Sequence, residues 1–201
     1  MNDHYYTRDP LSASRPAECS FVYRGISLEF RTDAGVFSRG ELDTGTRVLL
    51  EALPAQMGGE ILDLGCGWGA IGISVAKAWP EARVTLADVN LRALDLSREN
   101  AEKNRADVIC AESDGFSAFS GKIFDAVITN PPIRAGKQVI YRMFADAADH
   151  LAPGGALYLV IRKQQGAESC IRYLQTIYKR VEKLDRSGGF WVIRASGKIS
   201  G

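Results

Sequence analysis

Strand-length apolar runs alternate with segments of helical spacing from Ile61 to the carboxyl terminus, which predicts an α/β fold: a mostly parallel sheet with helices on both faces. Two turns support this. A glycine-rich turn, Gly65-Cys66-Gly67-Trp68-Gly69, follows the first core run, as in strand–turn–helix units that hold a ligand at the carboxyl edge of a sheet. A second turn, Asn130-Pro131-Pro132-Ile133, stops the run Ala126-Val127-Ile128-Thr129, because neither proline supplies an N–H to a ladder. At 201 residues, with 46% hydrophobic and 24% charged side chains, the chain suits one domain spanning 1–201 with a sizeable core.

Residues 1–16 lack periodicity and read as a loose amino-terminal arm. Residues 17–57 read as a hairpin and a helix preceding the core. Phe21, Tyr23, Ile26, Leu28 and Phe30 alternate about a turn at Arg24-Gly25, and Asp43 caps a helix running to Leu53. The core, 58–201, opens with strand Ile61–Leu64 and helix Ala70–Trp79, stopped by Pro80. Strand Arg83–Ala87, helix Leu91–Lys103, strand Asp107–Ala111 and strand Phe124–Thr129 follow. Val139, Ile140, Met143, Phe144, Ala147, Ala148 and Leu151 share one helix face. Pro153-Gly154-Gly155 then turns into strand Ala156–Ile161. Ile171, Leu174, Tyr178 and Val181 mark a further helix, and Arg180–Arg186 with Gly189–Ala195 close the sheet around Ser187-Gly188. The sheet then has seven strands.

The glycine turn bears on the choice of cofactor. Gly67-Trp68-Gly69-Ala70-Ile71-Gly72 formally matches a dinucleotide fingerprint, with Asp88 near the ribose-binding distance beyond it. Asp63 argues against a dinucleotide. A carboxylate just before the first glycine would repel a diphosphate, whereas it would accept from the ammonium of an aminoacyl sulfonium such as S-adenosylmethionine. A close-packed turn without a ligand is the competing reading. The stiff Asn-Pro-Pro turn offers fixed acceptors suited to a planar amino group, or else Asn130 simply caps its own backbone.

Asp63-Leu64-Gly65-Cys66-Gly67 resembles the first motif of class I S-adenosylmethionine-dependent methyltransferases. Asn130-Pro131-Pro132-Ile133 resembles the fourth motif of those that methylate exocyclic amino groups. With Gly35-Val36-Phe37-Ser38, Asp43-Thr44-Gly45-Thr46 and residues 130–136, the likeness is to the methyltransferase small domain of RsmC-like ribosomal RNA guanine-N2 methyltransferases, over roughly residues 18–197. It implies a Rossmann-like fold with an antiparallel last strand. It also implies S-adenosylmethionine as cofactor and RNA, in a ribosomal subunit, as partner.

The resemblance implies roles for named residues. Asp63 and the backbone of Gly65, Cys66 and Gly67 hold the methionine end. Asp88 takes the ribose hydroxyls, with a helix cap as its alternative, and Val89 lies beneath the adenine. Asp114 accepts from the adenine amino group, or forms an Asx turn beside Gly115. Phe116 covers the adenine or belongs to the core. Asn130, Pro131 and Pro132 form the catalytic corner, with the Asn130 oxygen and the Pro131 carbonyl accepting from the target nitrogen. Phe37, Ile133, Arg134 and Lys137 contact substrate. Relatives often carry an aromatic where Ile133 stands, so apolar contact replaces stacking, or Phe37 supplies the ring.

The net charge of +1 hides an asymmetry: residues 1–133 carry 13 Lys/Arg against 19 Asp/Glu, and residues 134–201 carry 12 against 5. Arg134, Lys137, Arg142, Arg162 and Lys163 are expected in loops or helix starts where the sheet opens, suited to phosphate contacts. Arg172, Lys179, Arg180 and Lys183 read as a solvated helix surface. The ribosomal relatives carry a further amino-terminal domain that this sequence does not show. RNA capture is therefore expected from the basic carboxyl-terminal side, a partner or a homodimer.

Cys19, Cys66, Cys110 and Cys170 have no metal or redox spacing, so no metal site is expected. No run reaches membrane-spanning length and Met1 to Pro10 is polar, which predicts a cytoplasmic protein. His4 falls in the arm and His150 closes a helix, neither suited to catalysis. Three functional readings stand. The first is methylation of guanine N2 in ribosomal RNA. The second takes another acceptor: DNA adenine, a protein glutamine amide or a small molecule. The third is a non-catalytic RNA-binding module.

Overall fold

The computed structural model describes Arg8 and residues 13–199. A hairpin of β1 (Ala17–Tyr23) and β2 (Ile26–Thr32) precedes α1 (Thr44–Ala52), β3 (Glu60–Leu64), α2 (Ala70–Ala78), β4 (Arg83–Asp88) and α3 (Leu91–Asn104). Then come β5 (Val108–Glu112), β6 (Phe124–Thr129), α4 (Lys137–Asp149), β7 (Leu151–Arg162), α5 (Ala167–Leu174), β8 (Tyr178–Ser187) and β9 (Phe190–Lys198). Strands β3 to β9 form one seven-stranded sheet of order β5-β4-β3-β6-β7-β9-β8. Neighbours from β5 to β7 pair in parallel, and β9 runs antiparallel between β7 and β8. The expected reversed last strand is therefore present. Its cause is local: Gly188 and Gly189, at φ of 57° and 78°, make a two-residue turn that only an antiparallel pair can use.

The period-two alternation of the strands divides the core. On β7, Leu157, Leu159 and Ile161 enter the apolar cluster beneath α4 and α5, while Tyr158 and Val160 enter the one shared with α1, α2 and α3. A strand buried on both faces explains the unbroken apolar run. The hairpin joins the second cluster through Phe30, whose ring meets Trp68 edge-on with centroids 4.9 Å apart. Buried Asn100 of α3 accepts from Arg31 N and donates to the carbonyls of Arg31 and Trp68, which fastens hairpin, helix and glycine turn together.

Several expectations are corrected. Tyr178 and Val181 lie in β8, not in a helix. Tyr178 turns inward and donates to Phe144 O at 2.7 Å, and sheet pairing with β9 overrides the helical spacing. Pro153-Gly154-Gly155 does not precede the strand but bulges within it: Leu151 already pairs with Phe124, and pairing resumes at Ala156. Leu151 thus opens β7 instead of closing α4, and Trp79 caps α2 instead of belonging to it. The described part of the arm is tied down. Asp33 accepts from Ser14 Oγ and Arg15 N, Leu91 N donates to Arg8 O at 3.0 Å, and Arg8 pairs with Glu112. The remaining arm residues, His4 included, lie outside the described residues. Among the described residues no helix is long and apolar enough to cross a membrane.

Candidate active site

The connections leave β3 in one direction and return to β6 on its other side, so a crevice forms outside the carboxyl ends of these neighbours. Thr129 Oγ1 donates to Leu64 O at 2.7 Å and closes the seam between them. A cavity of about 320 Å³ opens there, within the range of small-molecule sites. The structure brings together at its walls Gly65, Cys66, Gly67, Asp88, Val89, Asp114, Asn130, Pro131, Pro132 and Phe37, every one an expected site residue. Phe37 is half-exposed at the mouth, its carbonyl held by Trp68 Nε1 at 2.9 Å.

Asp88 ends β4 facing the glycine turn. Its Oδ2 accepts from Gly67 N and its Oδ1 from Asn90 N, each at 2.9 Å. Gly67 has a φ of 57°, which aims its N–H at the carboxylate and suits a residue without a Cβ. Asn90, not Asp88, caps α3 by accepting from Ala93 N. A carboxylate with two N–H partners still has lone pairs for a ligand. Burial raises the Asp88 pKa, against those N–H groups.

Asp63 is not a wall of the cavity. Alternation along β3 turns it with Ile61 towards α2, and it is only 1% exposed. Its Oδ2 accepts from Gly72 N at 2.8 Å, and its Oδ1 has no partner among the described residues. Gly72 permits this approach, since a Cβ there would lie 1.9 Å from Leu86 Cδ2 and 3.1 Å from Asp63 Oδ2. Burial pushes Asp63 up to about 7, the Gly72 N–H opposes this, and the Asp88 charge adds to it. The expected direct contact with an ammonium is thus corrected to a carboxyl lying behind the glycine turn. An orphaned carboxyl oxygen beside a second raised carboxyl makes a site short of positive charge. It fits a cationic cofactor and disfavours a diphosphate.

The Asn130 amide is clamped by residues that sequence reasoning missed as functional. Asp43 Oδ2 accepts from Thr46 N at 3.0 Å, capping α1, and from Asn130 Nδ2 at 3.1 Å. Thr46 Oγ1 accepts from the same Nδ2 at 2.9 Å. A carboxylate can only accept, so the NH₂ end of the amide must face Asp43. The carbonyl oxygen is then the end left for a ligand. Asp43 was legible as a cap, but its second duty joins residues 87 apart in sequence and has no local signal.

Other expected contacts lie off the cavity. Ile133 packs against the apolar cluster under α4, Arg134 sits in a 3-10 turn (Ile133–Ala135), and Lys137 starts α4 with Nζ 5.0 Å from the Tyr141 ring centroid. Ala135 of that turn and, at i, i+4 spacing on one face of α4, Val139 and Met143 supply that wall instead. Arg142 is inside α4 and pairs with Asp146, not at a helix start. Phe116 does not reach an adenine position on the cavity. It is buried and stacked on His150, centroids 4.5 Å apart. His150 caps α4 as expected.

A parallel sheet with a reversed last strand, a glycine turn answered by Asp88, and an Asn-Pro-Pro corner on the same cavity define the class of S-adenosylmethionine-dependent methyltransferases with a Rossmann-like fold. Comparison with known proteins agrees. The chain belongs to the methyltransferase small domain family, whose profile matches residues 27–194. It is 40% identical over 198 residues to "Uncharacterized protein YbxB" of Bacillus subtilis (strain 168), covering 97% of this chain and 98% of that one. It is 42% identical over 141 residues to ribosomal RNA small subunit methyltransferase C of Hahella chejuensis (strain KCTC 2396), covering 68% of this chain and 41% of the relative. Among solved structures, the RsmC 16S rRNA N2 methyltransferase of T. thermophilus, in complex with AdoMet and guanosine, superposes with a TM-score of 0.83 at 27% identity. That match covers 94% of this chain and 52% of the other, so the chain spans about half or less of these ribosomal methyltransferases.

Proposed function

We propose that the chain methylates the exocyclic N2 amino group of a guanine in ribosomal RNA, in the cytoplasm. The observation that carries this reading is the clamped amide: Asp43 and Thr46 hold the NH₂ of Asn130, leaving a fixed acceptor on the cavity that Gly65–Gly67 and Asp88 share. The names of the ribosomal relatives support the choice of guanine N2.

Asp88 would accept from the ribose hydroxyls, with Val89 against the adenine and Asp114 accepting from its amino group. The backbone of Gly65, Cys66 and Gly67 would hold the methionine end, with the Asp63 charge behind it. S-adenosylmethionine supplies an electrophilic methyl group on a positively charged sulfur, which departs as a neutral thioether. The chain's own task lies with the nitrogen. An aryl amine delocalises its lone pair into the ring. Two N–H bonds, to Asn130 Oδ1 and the Pro131 carbonyl, favour the pyramidal nitrogen whose lone pair lines up with the methyl group. As the new C–N bond forms, the C–S pair goes to sulfur and one nitrogen proton passes to water. Alignment and fixed dipoles supply the acceleration without a strong base. Phe37 would meet the base at the mouth, and Arg134 and Lys137 the flanking phosphates.

The test is transfer of tritiated methyl groups to RNA from a deletion strain, followed by nuclease digestion and mass spectrometry of the labelled nucleoside. N2-methylguanosine is expected. Label in N6-methyladenosine or in protein would overturn the guanine assignment.

A further inference from the structure

The carboxyl edge of the sheet changes sign along its length. On the β5, β4 and β3 side its acids are Glu112, which Arg8 pairs, Asp114, Asp88 and, behind the turn, Asp63. Past Asn130 on β6 it becomes basic: Arg162 ends β7, Lys163 follows, and Lys183 and Arg186 lie on β8 towards its turn into β9. The register sets Arg162 opposite Phe190 and Arg186 opposite Trp191. Arg162 Cζ lies 5.1 Å from the Phe190 ring centroid, while Lys183 Nζ and Arg186 Cζ lie 4.6 and 5.4 Å from that of Trp191. Lys183 lies in the expected closing strand, and its ammonium is braced by an indole instead of standing on a solvated helix surface.

All four cations are exposed, and among the described residues none forms an ion pair with a carboxylate. Lys183 and Arg186, paired with Ile193 and Trp191, project to the α4–α5 face of the sheet end. Arg162, paired with Phe190, projects to the α1 face, which also carries Asp185 opposite Val192; the four cations bracket the carboxyl edge from both faces. Three other cations of this half are neutralised, Arg142 by Asp146, Arg194 by Glu182 and Lys198 by Asp149, while Lys137 and Arg172 lie on α4 and α5, away from the β7–β8 end. Lys179 and Arg180 begin β8 at the far edge. The patch also adjoins the Asn130 clamp. A Cβ on Gly45 would be 2.9 Å from both Phe190 Cε1 and Asp43 Oδ2, so Gly45 lies between the Phe190 ring and the carboxylate that holds Asn130. Lys163 N donates to Gly189 O at 2.8 Å and fixes the β8–β9 turn to the end of β7. A guanidinium or ammonium resting on a ring keeps its N–H groups outward and loses less freedom when it meets an anion.

We propose that Arg162, Lys163, Lys183 and Arg186 form a docking surface for the sugar–phosphate backbone of the RNA strand flanking the target nucleotide. The proposal rests on the RNA reading above. Cofactor and polyanion then occupy opposite halves of one edge, with Asn130 between them.

The test measures binding of a fluorescein-labelled single-stranded ribosomal RNA fragment by anisotropy across a salt series. Wild type is compared with Arg162→Gln/Lys163→Gln/Lys183→Gln/Arg186→Gln and with a charge-matched control, Lys77→Gln/Arg83→Gln/Arg98→Gln/Lys103→Gln, on α2, α3 and the amino end of β4. Losing four phosphate contacts should lower the slope of log affinity against log salt by about 3 and the affinity at 0.1 M salt by roughly several hundred-fold. Cofactor affinity by calorimetry should be unchanged, and the control should keep the wild-type slope. Arg162→Gln and Arg186→Gln alone, each expected to lower the slope by about 0.7, repeat the test where the fold is least disturbed. A wild-type slope in the edge variants, or an equal loss in the control, overturns the docking surface while RNA methylation by the wild type stands. A wild-type protein that neither binds nor methylates RNA overturns both.

Discussion

Asp43→Ala removes one oxygen that caps α1 and holds the Asn130 amide. Loss of the cap costs about 1 kcal/mol and loss of a hydrogen bond to a charged group about 1.5–3 kcal/mol, part of which Thr46 Oγ1 retains by holding the same Nδ2. Urea unfolding should therefore show a loss of about 1–3 kcal/mol. If the bond to Asn130 orients the reactive amide, the same energy appears in the barrier and kcat falls roughly 10–150-fold. Cofactor affinity should not change, since neither Asp88 nor the glycine turn touches this clamp. Asp43→Asn is the informative partner. Its Oδ1 can occupy the Oδ2 position and accept from both Thr46 N and Asn130 Nδ2, so capping and turnover should stay near wild type. Steady-state transfer to RNA, calorimetry with S-adenosylmethionine and urea titration read the three quantities. An Ala variant with wild-type kcat refutes the orientation argument. So does an Asn variant as slow as Ala, because charge rather than geometry would then be at work.

Asn130→Ala should keep cofactor affinity and lose at least about 100-fold in kcat, whereas Asp88→Ala should mainly weaken cofactor binding; equal loss of cofactor affinity in both would contradict this division. Asp63 titrates near 7 when folded against an ordinary 3.8, so it favours the folded state at low pH and this stability is lost as pH rises through 7. The effect is on the order of 4 kcal/mol at most for cofactor-free protein, and it should vanish in Asp63→Asn between pH 5 and 8. A pH-independent difference between the two proteins would be inconsistent with the buried, unpaired carboxyl. Gly72→Ala should destabilise by about 1–2 kcal/mol in urea, because the contact with Leu86 outweighs the helix-propensity gain of about 1 kcal/mol. Unchanged stability would mean the α2–β4 spacing yields freely.

The core strands and the two turns were legible because their signals are local. A buried parallel strand is an apolar run, and Pro131-Pro132 ends one wherever it occurs. What escaped was set by distance or by strand face. Ile171, Leu174, Tyr178 and Val181 have helical spacing, yet pairing with β9 and the Tyr178 bond to Phe144 put the last two in a strand. Asp63 looked like a cofactor contact because it neighbours the glycines, but the two-residue period of β3 turns it under α2. Asp43 reaches Asn130 only because α1 packs on β7 and β9 with its amino end at the end of β6. The charge asymmetry of the halves was plain. The closing strand was expected, but which cations meet a carboxylate and which rest on the Phe190 and Trp191 rings depended on register across strands.

A crystal structure of the protein with S-adenosylhomocysteine and guanosine measures directly whether one cleft serves both cofactor and amine. The ribose hydroxyls should lie on Asp88, and the guanine amino group within hydrogen-bond distance of Asn130 Oδ1 and facing the sulfur. Cofactor density away from Gly65–Gly67, or an amino group nearer Nδ2 of a turned Asn130, would contradict the account.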